Sequence, residues 1–300
     1  MNETKTRNLI KLISERLGVS ADRISDLTMM KKGLTNRSYR FQCGGESYIV
    51  RIPGEGTDKL INRHQEAAVY RTIAGRGLCD DPVYLDSESG IKITAYLPDA
   101  RACDSRSPDD LKRCMELLRS FHEMDLQTEH DYDLFRQIDF YESLWDGAVS
   151  AYPDYPAVKA SVLGLRMYIE DHVERRCLAH IDAVPDNFLF YRGPGGGTKL
   201  QLTDWEYAGM QDPHVDLAMF CIYSGYEQQE ADALIDLYFR GGCRVGTRRK
   251  IYAYMAVCGL MWSNWCEYKR LCGVEFGDYA LRQYRYAKEY TDLLRKEGII

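Results

Sequence analysis

The chain has 300 residues, 45% hydrophobic and 28% charged, with a formal net charge of −6. That length suits one large domain or two modest lobes and is ample for a buried core. The acidic balance excludes a nucleic-acid partner, which needs clustered Lys and Arg; the runs Lys31-Lys32 and Arg248-Arg249-Lys250 are short and read as solvated surface.

In chain order, an amphipathic helix is predicted over about 5–17, with Leu9, Ile13 and Leu17 on one face and Gly18 ending it. Strands follow at 28–32, 38–43 and 47–52, the last two joined by a Gly44-Gly45 hairpin turn. A helix over 59–74 carries Leu60, His64, Ala67 and Tyr70, and strands at 81–86 and 91–97 flank the turn-rich Ser87-Glu88-Ser89-Gly90. After Pro98 the pattern turns helical. Ser107 is a cap with Pro108 at the first helical position, and Leu111, Cys114, Leu118 and Phe121 form the buried stripe of the helix that follows. Helices near 141–149 and 158–173, a β interruption over 178–203 and three helices from Val215 onward complete the pattern. The reading is an α+β chain of two lobes, a small β-rich N-terminal lobe over 1–97 and a larger, mainly α-helical C-terminal lobe over 98–300. A ligand is expected in the cleft between them.

The ten cysteines form no CxxC pair, and Cys114, Cys221 and Cys258 fall on apolar helical stripes as small buried hydrophobes. Scattered thiols in a chain of this length point to a reducing compartment. The opening Met1-Asn2-Glu3-Thr4-Lys5 lacks the apolar run of a signal peptide, and no stretch approaches the ~20 apolar residues that span a bilayer. A cytoplasmic location with no membrane partner is expected.

The segment His180-Ile181-Asp182-Ala183-Val184-Pro185-Asp186-Asn187 carries the chemistry. An ionised Asp182 suits a base that accepts a hydroxyl proton late, and Asn187, five residues on, offers a neutral oxygen to a hard cation. Residues 188–191 and 199–203 read as strands around Gly193-Pro194-Gly195-Gly196-Gly197; paired as a hairpin they would return Asp204 to Asn187. One proton acceptor and two oxygen ligands for magnesium are the equipment of phosphoryl transfer. The plainer alternative makes Asp182 and Asp204 loop and turn residues, and His180 reads better as a loop organiser than as a catalyst.

HIDAVPDNFLF together with LTDWEYAGMQDPHVDLA resembles the catalytic core of the aminoglycoside-phosphotransferase and choline-kinase family, which has a two-lobed protein-kinase-like fold. The likeness runs from GLTNRSYRF at Gly33 to RYAKEY near the C-terminus. It implies ATP as co-substrate, Asp182 as catalytic base, Asn187 and Asp204 as magnesium ligands, and Asp216 as a brace for the catalytic loop. The segment from Gly33 to Ser38 resembles the family's nucleotide loop, so Gly33, Thr35 and Asn36 would lie over the phosphates; alone it reads as a plain hairpin. Arg51 takes the place of the kinase strand lysine, with Glu66 as its ion-pair partner. Arginine there departs from protein kinases but is shared with choline-kinase-like proteins. Ala95 and Leu97, in Thr94-Ala95-Tyr96-Leu97, would meet adenine through the backbone.

Trp262 and Trp265 are three residues apart on one helix and so project together, in a stripe with Tyr254, Cys258 and Met261. Two indoles wall a quaternary ammonium group with roughly 0.5–2 kcal/mol per ring, although such a pair equally serves a core. Glu206 and Tyr207 would add charge and a further ring. WxxW resembles the choline-kinase pattern, and GVEFGDYALRQYRYAKEY resembles its bacterial LicA-type branch. The resemblance therefore implies a choline kinase that uses magnesium and ATP. Ethanolamine, thiamine, an aminoglycoside or a macrolide are alternative acceptors, with Glu267 and Asp278 as candidate carboxylates for several amines. A nucleotide-binding pseudokinase scaffold is a further alternative, against which Asp182, Asn187 and Asp204 argue.

Overall fold

The computed structural model describes residues 3–30, 36–54, 57, 59–79, 81–193 and 195–300; Gly33 and Thr35 of the expected nucleotide loop lie outside them. Helix α1 (Glu3–Leu17) buries Leu9 and Ile13 and is followed by Gly18 at φ +65°. Strands β1 (Ile24–Met29), β2 (Asn36–Cys43) and β3 (Glu46–Pro53) come next. The first strand lies earlier than the sequence pattern placed it. Its backbone pairs Ile24 with Cys43 and then shifts register between Ser25 and Thr28, around Asp26 at φ +53°. Gly44 and Gly45, at φ +62° and +88°, supply the two left-handed residues that the β2–β3 turn needs.

Helix α2 (Arg63–Ile73) starts four residues later than predicted because the Asn62 side chain accepts from His64 N at 3.1 Å and Gln65 N at 3.2 Å. Strands β4 (Tyr84–Leu85) and β5 (Lys92–Ala95) complete an antiparallel sheet ordered β1-β2-β3-β5-β4. Alternation along β2 turns Tyr39, Phe41 and Cys43 inward, onto a core with Leu9, Ile13, Val50 and Ile93.

Beyond β6 (Arg101–Ala102) helices predominate. In α3 (Pro108–Glu123) Ser107 caps, Pro108 leads and Cys114, Leu118 and Phe121 are buried, as predicted. Helix α4 (Leu134–Ser143) precedes the predicted 141–149 because Asp133 caps it by accepting from Phe135 N and Arg136 N. The helix expected over 158–173 is two, α5 (Tyr155–Leu163) and α6 (Arg166–His172), parted at Gly164. Strand β7 (Cys177–Ala179), a 3-10 turn at Pro185–Asn187, β8 (Phe188–Arg192) and β9 (Thr198–Leu202) follow, with β8 and β9 adjacent in one small sheet. Strand β10 (Gly209–Gln211) runs antiparallel to β7. Four helices close the chain rather than three: α7 (His214–Ser224), α8 (Gln228–Tyr238), α9 (Val245–Leu271) and α10 (Asp278–Lys296). Gly225 at φ +70° stops α7, and a Glu227/Glu230 capping box starts α8.

Two compact units emerge: Met1–Arg101 with Leu189–Tyr207, and Ala102–Phe188 with Ala208–Ile300. The sequence reading divided the chain at 97/98 and assigned 189–207 to the second part; here that segment packs with the first. Leu202 N donates to Leu78 O at 2.9 Å, and Asp204 and Glu206 pair with arginines of that unit. In the second unit α9 is the central helix, buried continuously from Lys250 to Lys269, with α4, α6, α7 and α10 packed on it. Among the described residues no helix is long and apolar enough to cross a membrane.

Candidate active site

Strand β7 ends one residue before His180, which is fully buried and serves through its backbone. Ile181 has φ +68°, a left-handed conformation that a β-branched side chain rarely adopts. Asp216 in the first turn of α7 holds it there: Oδ2 accepts His180 N at 2.9 Å and Oδ1 accepts Ile181 N at 2.7 Å. Oδ2 also lies 3.0 Å from His122 Nε2, and His122 Nδ1 lies 2.8 Å from the Tyr238 hydroxyl. This buried chain fixes the backbone one residue before Asp182.

Asp182 and Asn187 are brought together within one turn. Asn187 Nδ2 donates to the Asp182 carbonyl at 2.8 Å and to Oδ2 at 3.1 Å. The amide nitrogen of Asn187 is thus committed to Asp182. The turn is closed by Val184 N to Asp182 O at 2.8 Å and Asn187 N to Val184 O at 2.9 Å. Cys103 N pins its far end on Phe188 O at 2.9 Å, and the Tyr223 hydroxyl donates to Asp186 Oδ2 at 2.7 Å. Burial pushes the phenols of Tyr132 and Tyr279 well up, and the charge of Asp182 adds to both shifts. Both phenols are therefore neutral at ordinary pH.

In the first unit, β3 delivers Arg51. Its Nη2 pairs with Glu66 Oε1, the partner the sequence predicted. Its Nη1 donates to Asp204 Oδ1 at 3.0 Å and Glu206 Oε2 at 3.1 Å. Arg63 Nη1 reaches Glu66 Oε2 at 2.7 Å and Glu206 Oε2 at 3.0 Å, Asn36 Nδ2 reaches Glu206 Oε2 at 3.3 Å, and Lys92 stands 3.7 Å from Glu66. Three cations face three carboxylates. Burial pushes the Glu66 carboxyl up, but Arg51, Lys92 and Arg63 outweigh it and the net displacement is downward. Glu206 moves the other way, driven by burial and then by Asp204. Asp204 follows β9 by two residues, at φ +66°, and its side chain is 37% exposed where those of Glu66 and Glu206 are covered.

Glu206, expected beside the acceptor, is buried among these arginines. The sequence reading missed Arg63 and Lys92; the i,i+3 spacing of Arg63 and Glu66 was the available signal. Gly90 had no assigned role either. It has φ +69°, and a Cβ there would stand 2.5 Å from Arg63 Nε. Ala95 closes β5 opposite Tyr48 and is exposed, while Leu97 is half-buried beyond it; Tyr207 is buried at the end of its segment.

Trp262 and Trp265 meet edge to face at 5.6 Å and 73°, each more than nine-tenths buried. Trp265 also contacts Phe276 at 5.0 Å and carries Lys269 Nζ over its ring at 5.6 Å. Phe276 touches Tyr279 at 6.3 Å, and Tyr279 meets Tyr223 edge-on at 5.9 Å. A continuous run of rings therefore leads from Trp262 to Tyr223, whose hydroxyl donates to Asp186. Phe276 and Tyr279 were missed; Phe276 lies before the N-cap of α10 and Tyr279 in its first turn, so no helical period joins them. No cluster of three or more His, Cys, Asp or Glu suited to a metal occurs among the described residues.

A family profile described as "Phosphotransferase enzyme family" matches residues 26–254. Protein LicA of Haemophilus influenzae is 26% identical over 265 residues, covering 84% of this chain and 76% of its own. The structure of choline kinase LicA from Streptococcus pneumoniae superposes with a TM-score of 0.81 at 30% identity, covering 95% of this chain and 99% of that one. A structure of LicA in complex with AMP gives 0.79 at 30% identity, with 94% and 98% covered.

Proposed function

Because the chain belongs to the phosphotransferase enzyme family, with a kinase-like α+β fold and an alcohol group as acceptor, we propose that it transfers the γ-phosphoryl group of ATP to the hydroxyl of choline, giving phosphocholine. The observation that carries the choline reading is the run of rings from Trp262 through Trp265, Phe276 and Tyr279 to Tyr223, in the same unit as Asp182. Aromatic faces favour a quaternary ammonium cation, which offers no N–H to a carboxylate. The similarity to a choline kinase supports the same acceptor.

In this reading the choline oxygen bonds to the γ-phosphorus, the bond from that phosphorus to the β,γ-bridging oxygen breaks, and ADP leaves. Asp182, oriented by Asn187, accepts the hydroxyl proton. Arg51 and the loop of Gly33, Thr35 and Asn36 would hold the phosphates, with Ala95 and Leu97 at the adenine. Asn187 and Asp204 offer hard oxygen donors of the kind magnesium takes and would hold the ion, which would supply charge neutralisation on the phosphates. Residues 1–97 would carry the nucleotide and 98–300 the acceptor. A cytoplasmic location, where ATP is abundant and thiols stay reduced, goes with this activity. A polyamine acceptor is less well served, because Glu267 already accepts from Ala151 N and Arg270.

A panel of choline, ethanolamine, thiamine, aminoglycosides and macrolides, assayed by ADP release, tests the acceptor. Choline is expected to lead, activity to vanish in chelator, and Trp265→Ala to raise KM for choline by about 2- to 30-fold, the loss of one cation–π contact, with KM for ATP unchanged. Preference for another acceptor, or equal changes in both constants, would reject the choline site.

A further inference from the structure

Glu206 Oε2 receives three donors, Arg51 Nη1 at 3.1 Å, Arg63 Nη1 at 3.0 Å and Asn36 Nδ2 at 3.3 Å, in a place where the residue is more than nine-tenths buried. The same Arg63 nitrogen reaches Glu66 at 2.7 Å, so Arg63 bridges the two carboxylates that flank Arg51. Arg51 Nη1 is shared between Glu206 and Asp204. Among the described residues Arg51 Nε and Arg63 Nη2 are buried with no acceptor, which leaves the pair with unused donor capacity. Gly90 leaves Arg63 the room it occupies.

We propose that Arg63 and Glu206 are positioning residues for the nucleotide phosphates, acting through Arg51; the proposal rests on the phosphotransferase reading. Asp204 is the exposed member of the cluster and gives Arg51 only Oδ1; were it to hold magnesium, its hold on Arg51 would weaken. Glu206 would keep hold of Nη1, so the guanidinium would stay aligned with Asp204 engaged elsewhere. Its contact with Asn36 ties the first residue of β2 to the same oxygen. Arg63 supplies the compensating charge. Without it, Glu66 and Glu206 both draw on Arg51, and one uncompensated carboxylate lies beside the phosphates. Arg63 spans both carboxylates through the single nitrogen Nη1, so a lysine that brings its ammonium to the same place keeps part of the effect.

The test is calorimetric binding of magnesium with a non-hydrolysable ATP analogue to the full chain, paired with steady-state kinetics. Glu206→Gln keeps the side chain's shape and is expected to weaken binding about 3- to 10-fold, raising KM for ATP but not for the acceptor. Arg63→Met is expected to weaken binding about 10-fold or more, and Arg63→Lys less. The double variant Arg63→Met with Glu206→Gln should regain most of the affinity lost by Arg63→Met, because one charge of each sign is removed. Additive losses, or a Glu206→Gln protein that binds the analogue like the wild type, would overturn the proposal even if Arg63→Met fails to fold. An enzyme that binds the analogue with this coupling yet ignores choline would refute the acceptor reading and leave this one standing.

Discussion

Ile181 holds a left-handed backbone that costs a β-branched residue on the order of 1–3 kcal/mol, immediately before the carboxylate on which the proposed chemistry turns. The strain is offset by the two N–H bonds to Asp216, so the direction of Asp182 is set by backbone rather than by its own rotamer alone. Asp182→Asn keeps that backbone and removes the proton acceptor. Turnover is expected to fall about 10²-fold or more with nucleotide affinity nearly unchanged, measured by kcat alongside calorimetry. The Asp182–Asn187 contact was legible in the sequence because its partners are five residues apart and one turn closes them. Glu206 was not legible. Its partners Arg63 and Arg51 lie 143 and 155 residues away in the chain, and nothing local distinguishes a carboxylate bound for buried guanidinium groups from one bound for an acceptor.

Among the elements, α7 does the most for the site, since its first turn carries Asp216 with both oxygens committed to backbone donors. Asp216→Asn places an amide N–H₂ against at least one N–H that needs an acceptor. A loss of about 2–4 kcal/mol in stability and at least a 10-fold fall in kcat are expected, read from thermal melting and initial rates. Element existence was readable where local chemistry declares it: Ser107-Pro108 starts α3 and Gly44-Gly45 turns β2 into β3. Boundaries slipped where a cap outranked the apolar period, at Asn62 and Asp133, or where one glycine broke a continuous stripe, at Gly164. The bulge near Asp26 moved β1 for a reason that belongs to its pairing with β2 and not to its own residues.

For the molecule as a whole, acid response is the accessible test. Burial depresses the pKa of His214 to about 4, with Asp212 opposing and Lys250 adding to the effect. The unfolded chain takes up that proton near pH 6.5, the folded chain only near 4. Stability from neutral His214 is therefore complete above about pH 6.5 and is lost as pH falls toward 4, by up to about 3 kcal/mol. Urea midpoints at pH 7 and 4.5 should show the loss in the wild type and a smaller one in His214→Phe. An equal loss in both would assign the acid sensitivity elsewhere. The two-part α+β division was legible from the change of pattern after Pro98. The return of 189–207 to the first unit was not, because it is secured by Leu78, Arg51 and Arg63, each more than a hundred residues upstream.

That return has a consequence for biosynthesis. Between Arg101 and Tyr207 the ribosome adds 106 residues (207 − 101), which at ~5–20 residues per second takes roughly 5–20 s. Throughout that interval the nascent front sheet holds two guanidinium groups and a lysine destined for burial against a single carboxylate, Glu66. It must wait, hydrated and unfinished, for Asp204 and Glu206 to emerge. A gene fragment ending at residue 101 would make that waiting state permanent.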